Sequence, residues 1–219
     1  MIDPQAIREK ETKNSFYRAV EGGNARSVLR MLRGGLFKKA VDPNLTFPKL
    51  SRRHHFWAAS DNEDVTPLGV AVRSGHLDIV RLLVEAGADV NYLSWRSTPL
   101  ELAAQRGRTD IAMYLLEHGA EPKDRSALAE ASRNGLVELV EVLLRKGAEP
   151  NASIASNSAI WAAVLGGSSK VVELLLLNGA RVNIQQDHPR CTLLELAIGN
   201  NRTEIVRLLL EHGARKDDH

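Results

Sequence analysis

The residues able to do acid–base, nucleophilic or metal chemistry are few here and poorly placed for it. There are seven histidines and a single cysteine, Cys191. His76 follows a glycine between two helical patterns, and His118 and His212 each precede a Gly-Ala pair, so all three read as scaffold positions. His54-His55 and His188 with Cys191 are the remaining metal-ligand candidates. The adjacent pair has poor ligand spacing, and the two groups lie far apart in the chain. No glycine-rich phosphate loop, HExxH or nucleophile elbow occurs. The reading is therefore a non-enzyme with no catalytic residue, no metal and no cofactor. What remains is binding chemistry, in which arginine, tryptophan and tyrosine carry most of the energy.

The elements that must position those residues come in copies. In 66–91, TPLGVAVRSGHLDIVRLLVEAGADVN, Thr66 is a helix N-cap and Pro67 sits at the first helical position, where its missing amide costs nothing. A short helix runs to about Val72 and Gly75 stops it. A second runs from about Leu77 to Glu85, with Ile79, Leu82 and Leu83 on one face, and Gly87 ends it. Two helices this short bury too little apolar surface to stand alone, so the unit must be stacked.

The same arithmetic recurs. Openers at Thr66, Thr98, Ser126, Ser158 and Thr192 each lie 21 residues before a Gly-Ala pair, at Gly87, Gly119, Gly147, Gly179 and Gly213. The mid-unit turn falls nine residues after each opener, at Gly75, Gly107, Gly135, Gly167 and Asn201, and Asn is the next residue after Gly for a left-handed turn. Ala71, Ala103, Ala131, Ala163 and Ala197 share one slot, where a small side chain lets helices approach. A divergent copy lies upstream, with Asn14 as opener, Phe16 and Ala19 in the apolar slots, Gly23 at the turn and Gly35 at the helix end. Before it, 3–11 read as a capped, polar helical turn that shields the array's N-terminal end.

Thr-Pro-Leu-x-x-Ala, then Gly, then an apolar helix ending Gly-Ala-x-x-Asn resembles the ankyrin repeat, over roughly 14–215. The resemblance implies an all-α fold with short β-hairpin fingers, a helical-repeat solenoid of L-shaped units, and a protein-binding role for the fingers and the first-helix face. On that basis 1–219 is one array with repeats at about 14–44, 66–91, 98–123, 126–151, 158–183 and 192–217. The family's usual His, three residues after the opener, is replaced by Gly69, Glu101, Ala129, Trp161 and Glu195, which puts local finger rigidity in question. Trp161 reads as core. The connection 121–125 is too short for a full finger. The insertion 36–65 exceeds a normal finger by about twenty residues, a length that is usually functional or disordered.

In the resembled fold, the residues seven and eight after each opener face the concave groove. Here they are Arg73-Ser74, Gln105-Arg106, Arg133-Asn134, Leu165-Gly166 and Gly199-Asn200. Three successive repeats thus offer an arginine. The candidate partner-binding residues are Arg73, Ser74, Arg106 and Arg133, with Tyr92, Trp95 and Arg96 from one finger and Arg52, Arg53 and Trp57 from the insertion. The competing reading makes the arginines solubilising and the aromatics finger packing.

Composition narrows the classes. Hydrophobic residues make up 43% and charged residues 26%, ordinary for a folded chain, and aromatics at 5% favour helices over a β-sandwich. One cysteine excludes an intrachain disulfide framework. With no signal-like start and no long apolar run, the expected location is the cytoplasm, with no membrane partner. A net charge of +2 argues against a general nucleic-acid binder. The favoured partner is another protein with an acidic contact segment, met in a scaffold, adaptor or inhibitor role. The alternative is nucleic-acid or anionic-surface binding through the basic insertion 36–57, which carries Lys38, Lys39, Lys49, Arg52 and Arg53. The last copy is as apolar as internal ones, so a monomer is expected whose C-terminal end is able to self-associate.

Overall fold

The computed structural model describes residues 4–34, 40–46, 65–95, 97–122, 125–152, 158–187, 190–215. Twelve helices follow one another in six consecutive pairs among them. The pairs are α1 (Pro4–Glu21) with α2 (Ala25–Arg33), α3 (Pro67–Ser74) with α4 (Leu77–Glu85), and α5 (Pro99–Gln105) with α6 (Thr109–Glu117). They continue as α7 (Arg125–Arg133) with α8 (Val137–Arg145), α9 (Ala159–Gly166) with α10 (Ser169–Leu177), and α11 (Leu193–Gly199) with α12 (Thr203–Glu211). A hairpin of β1 (Gln185–Asp187) against β2 (Arg190–Thr192) is antiparallel and pairs Gln186 with Cys191. The fold is all-α with a short β finger.

Local chemistry explains each pair. The hydroxyls of Thr66, Thr98, Ser158 and Thr192 each accept a backbone N–H three residues on, which caps the first helix. The mid-unit turn is left-handed throughout, and Asn201 takes it at φ +55°. The five alanines of the shared slot are fully buried. Second helices bury one apolar stripe each, as with Ile79, Val80 and Leu83 on α4.

Contacts divide the chain into two compact units, Met1–Ala103 with Tyr114–Ala120, and Ala104–Met113 with Glu121–His219. In the first, α1 packs on α2 and α3, and α2 on α4. In the second, α7 packs on α8 and α9, α9 on α11, and α10 on both α8 and α12. The α7–α9 approach depends on Gly166, whose missing Cβ would sit 2.1 Å from the Arg133 carbonyl oxygen.

Asparagines staple the connections. Asn44 Nδ2 donates to the Gly87 carbonyl at 2.9 Å while its oxygen accepts from Asp89 N–H at 2.7 Å. Asn151 repeats both bonds with Gly179 and Arg181, and Asn183 does so with Gly213 and Arg215. Asn91 donates to the Gly119 carbonyl at 3.1 Å.

Three expectations change. First, α1 is a single 18-residue helix from Pro4 to Glu21, so Asn14 lies inside it and opens no helix. Between Pro4 and Gly22 nothing breaks a helix, and Glu, Lys, Arg and Ala favour one. Second, α2 is capped by Gly34 at φ +69°, one residue before the expected Gly35. Third, α7 starts at Arg125, which puts Ser126 in its first turn. Ser126 lacks the following proline that holds Thr66 and Thr98 extended, although Ser158 and Thr192 cap their helices without one. Within 40–46, where the expected first repeat (14–44) and insertion (36–65) overlap, Val41 N–H donates to the Met31 carbonyl and Asn44 forms the staple above.

Candidate functional site

Trp95 sits at the tip of a two-residue hairpin. Ser94 and Ser97 exchange backbone hydrogen bonds of 2.9 and 3.0 Å, and Trp95 takes the left-handed conformation at φ +52°. For a residue with a Cβ that conformation costs about 1 kcal/mol or more. Burial of Ser94 holds the hairpin in place. Its hydroxyl accepts from Thr66 N–H at 2.9 Å and lies 2.7 Å from the Thr66 hydroxyl, and both residues are almost inaccessible. Gly69 makes this possible, because a Cβ there would lie 2.5 Å from Ser94 Oγ. The side chain missing from the family's histidine slot is thus replaced by a serine from the finger, and the finger is fixed. In the last repeat the same slot holds Glu195, which completes a capping box with Thr192. Trp161 is buried, as expected of a core residue.

Arg73, at the end of α3, places its guanidinium carbon 4.0 Å from the centre of the Trp95 ring. It also hydrogen-bonds the Tyr17 hydroxyl, which donates to Glu21 Oε1 at 3.3 Å. Burial pushes the Tyr17 hydroxyl's pKa up, the Glu21 carboxylate pushes it further, and Arg73 opposes both. Arg73 is therefore held between the Trp95 ring and the Tyr17 hydroxyl. Beside it, Ser74 is half-buried. Tyr92 and Leu93, on the same finger, are 40% and 56% exposed. On the second helices of this unit Arg81 lies 5.0 Å from the Tyr114 ring centre, and Tyr114 meets the His118 ring at 4.0 Å.

In the second unit Arg106 and Arg133 are exposed at the ends of their repeats' first helices. Arg133 lies 3.9 Å from Glu130, a solvent-screened pair worth little to stability. Asn134 donates to the carbonyls of Ala104 and Gln105 and fixes its own turn. Leu165 and Ile198 are 40% and 44% exposed in this unit. Arg52, Arg53, Trp57 and Arg96 lie outside the described residues, as does the basic stretch 47–57 behind the nucleic-acid reading.

Of the histidines, His76, His118 and His212 are held by backbone carbonyls, whereas the candidate ligands His54, His55 and His188 lie outside the described residues. His76 Nε2 donates to the Glu21 carbonyl at 3.0 Å, and the Nδ1 atoms of His118 and His212 reach carbonyls four residues back. Sequence reasoning missed Tyr17 and Leu93. Tyr17 lies three residues after Asn14, in the slot the other repeats fill with Gly69 or Glu101, so its position was available; Leu93 carried no signal beyond adjacency to Tyr92.

A family model described as "Ankyrin repeats (3 copies)" matches residues 93–154 and 128–219, and one described as "Ankyrin repeats (many copies)" matches 56–116. The chain belongs to the ankyrin-repeat family. Ankyrin repeats typically serve as protein–protein interaction modules and are usually not catalytic. Among similar proteins, "Ankyrin repeat and KH domain-containing protein mask-1" of Caenorhabditis elegans is 35% identical over 151 residues, 68% of this chain and 6% of that protein. "Ankyrin repeat and SOCS box protein 6" of Mus musculus is 32% identical over 94 residues, 43% of this chain and 22% of that protein. Human "Cyclin-dependent kinase 4 inhibitor B" is 45% identical over 56 residues, 26% of this chain and 41% of that protein. The chain thus spans only a minor part of these relatives. Among the described residues of this ankyrin-repeat chain no helix is long and apolar enough to cross a membrane.

Proposed function

We propose that this ankyrin-repeat chain is a non-catalytic cytoplasmic module, one array of six repeats, that grips a partner protein on its fingers and first-helix ends. The observation that carries the reading is the finger of Tyr92, Leu93 and Trp95. Two large side chains stand in solvent on a connection fixed by the buried Ser94–Thr66 bonds. Exposed apolar side chains on a rigid finger bind with little loss of conformational entropy, the property of an anchor. Arg106 and Arg133 supply exposed cations, which favours an acidic partner segment. One relative's name describes a kinase inhibitor, and covering a partner's working surface is a mode open to such a module.

The test starts from a partner recovered with the purified chain. Arg106→Ala with Arg133→Ala should weaken its binding about tenfold or more and flatten the salt dependence. Unchanged affinity and salt slope in a folded double variant would sink the cationic part of the reading.

A further inference from the structure

The first-helix ends of the second unit are joined side by side by two contacts. Asn134 Nδ2 donates to the Ala104 carbonyl at 3.0 Å and to the Gln105 carbonyl at 3.3 Å, which ties the backbone beside Arg106 to that beside Arg133. Gly166 approaches the Arg133 carbonyl oxygen so closely that no Cβ fits between them, which sets Leu165 next to Arg133. Packed helices have axes about 8–10 Å apart, and neighbouring ends stand at about that spacing. Arg106, Arg133 and Leu165 therefore follow one another along one surface, and all three are exposed.

Leu165 is the odd member of this row. It is the counterpart of Arg133 in the preceding repeat and of Gly199 in the following one. Helix α9 packs against both α7 and α11, so its end is flanked on two sides, yet Leu165 is 40% exposed. Its exposure does not come from a missing neighbour. Gly199 puts no side chain beside it, and a Cβ there would meet nothing within 4 Å. The Arg202 guanidinium lies against Gly167, two residues on, so a bare leucine stands between two cations. Neither Arg106 nor Arg202 pairs with an acidic side chain among the described residues, and Arg133 keeps 41% of its side chain exposed beside Glu130.

A purely acidic ligand would leave Leu165 in water, and a purely apolar one would strip the guanidiniums of water without a counter-charge. Resting on the protein-binding reading of these helix ends, we infer that the second unit binds a protein segment that carries carboxylates and, at fixed spacing from them, one large apolar side chain. The carboxylates meet Arg106 and Arg133, and the apolar side chain covers Leu165 beside Gly199. Leu165 is thus a specificity-determining residue. A polyproline-II segment advances about 3.1 Å per residue and turns every third residue to one face, about 9 Å apart, which matches the helix spacing.

Fluorescence anisotropy with the 219-residue chain tests this. The probes are two labelled peptides of proline, serine and glutamine that carry aspartate, aspartate and leucine at every third position, one in each chain direction. One of them should bind with Kd below about 1 mM. Serine in place of the probe's leucine, or Leu165→Ser in the chain, should each weaken binding about fivefold or more and leave the salt slope unchanged. The two changes together should cost little more than either alone. Arg133→Ala should weaken binding and flatten the salt slope. Leu177→Ser, at a 72% exposed leucine on α10, should leave affinity within about twofold. Both leucines are exposed, so the variants fold, which circular dichroism checks. Failure of both peptides to bind, or equal affinity of the parent and Leu165→Ser chains for the probe, would overturn the proposal. A probe indifferent to Leu165→Ser but weakened by Arg106→Ala with Arg133→Ala would remove the apolar seat alone and leave the cationic reading standing.

Discussion

The Arg73 guanidinium lies 4.0 Å from the centre of the Trp95 ring, while the Trp95 backbone is left-handed at φ +52°. One relationship favours the finger tip and the other opposes it. A partly buried cation–π contact contributes about 1 kcal/mol, comparable with the backbone cost. Arg73→Ala should therefore destabilise the first unit by about 1 kcal/mol. Trp95→Gly loses the same contact but relieves the backbone, and should change stability by less than about 0.5 kcal/mol. Urea denaturation of both variants and of the double variant checks this; equal losses in the two single variants would contradict it.

Gly69→Ala should cost about 1–3 kcal/mol, since the new methyl meets Ser94 Oγ at 2.5 Å in a closed space. Adding Ser94→Gly removes that collision at the expense of the Thr66 bonds. The double variant should lose less than the sum of the two single losses, a non-additivity measurable from thermal midpoints.

Gly166→Ala is informative because helix propensity alone favours Ala by about 1 kcal/mol. Contact with the Arg133 carbonyl oxygen, 2.1 Å from the would-be Cβ, reverses the sign. A loss of about 2 kcal/mol or more is expected, with α7 and α9 forced apart. A stabilised variant in chemical denaturation would show that the two helices do not meet at this point.

Much of this architecture was legible in the sequence, because it rests on backbone rules that single residues report. A left-handed turn nine residues after each capping hydroxyl needs Gly or Asn, and Asn201 obeys the rule as clearly as Gly75 does. What was hidden depended on partners distant in sequence. Asn44 looks like part of a long insertion until it is seen bonding Gly87, 43 residues on. Gly69 looks like a lost histidine until Ser94 is seen in its place, and Arg73 looks like a free groove cation until Tyr17 and Trp95 flank it. The continuity of α1 was obscured by the repeat pattern itself, which assigned Asn14 a cap where local propensity runs straight through.

Alkaline pH gives a separate check on Tyr17. Its pKa is raised in the fold above the ordinary value of 10.0, first by burial and then by Glu21. The neutral hydroxyl is therefore the form the fold favours. Its contribution is complete below pH 10 and is lost as pH climbs through the raised value. Tyr17→Phe should make the fall in thermal midpoint between about pH 9 and 11 shallower than in the parent chain. An identical fall would mean that Tyr17 ionises in the folded state as it does in water.

The central claim is recognition of a protein through fingers and first-helix ends. Hydrogen–deuterium exchange of the chain with and without its recovered partner tests it most directly. Protection should gather at 73–74, 92–95, 105–106 and 133–134, and leave the second helices α4, α8 and α10 unchanged. Protection confined to those second helices, with the finger of Tyr92 and Trp95 unaffected, would contradict the account.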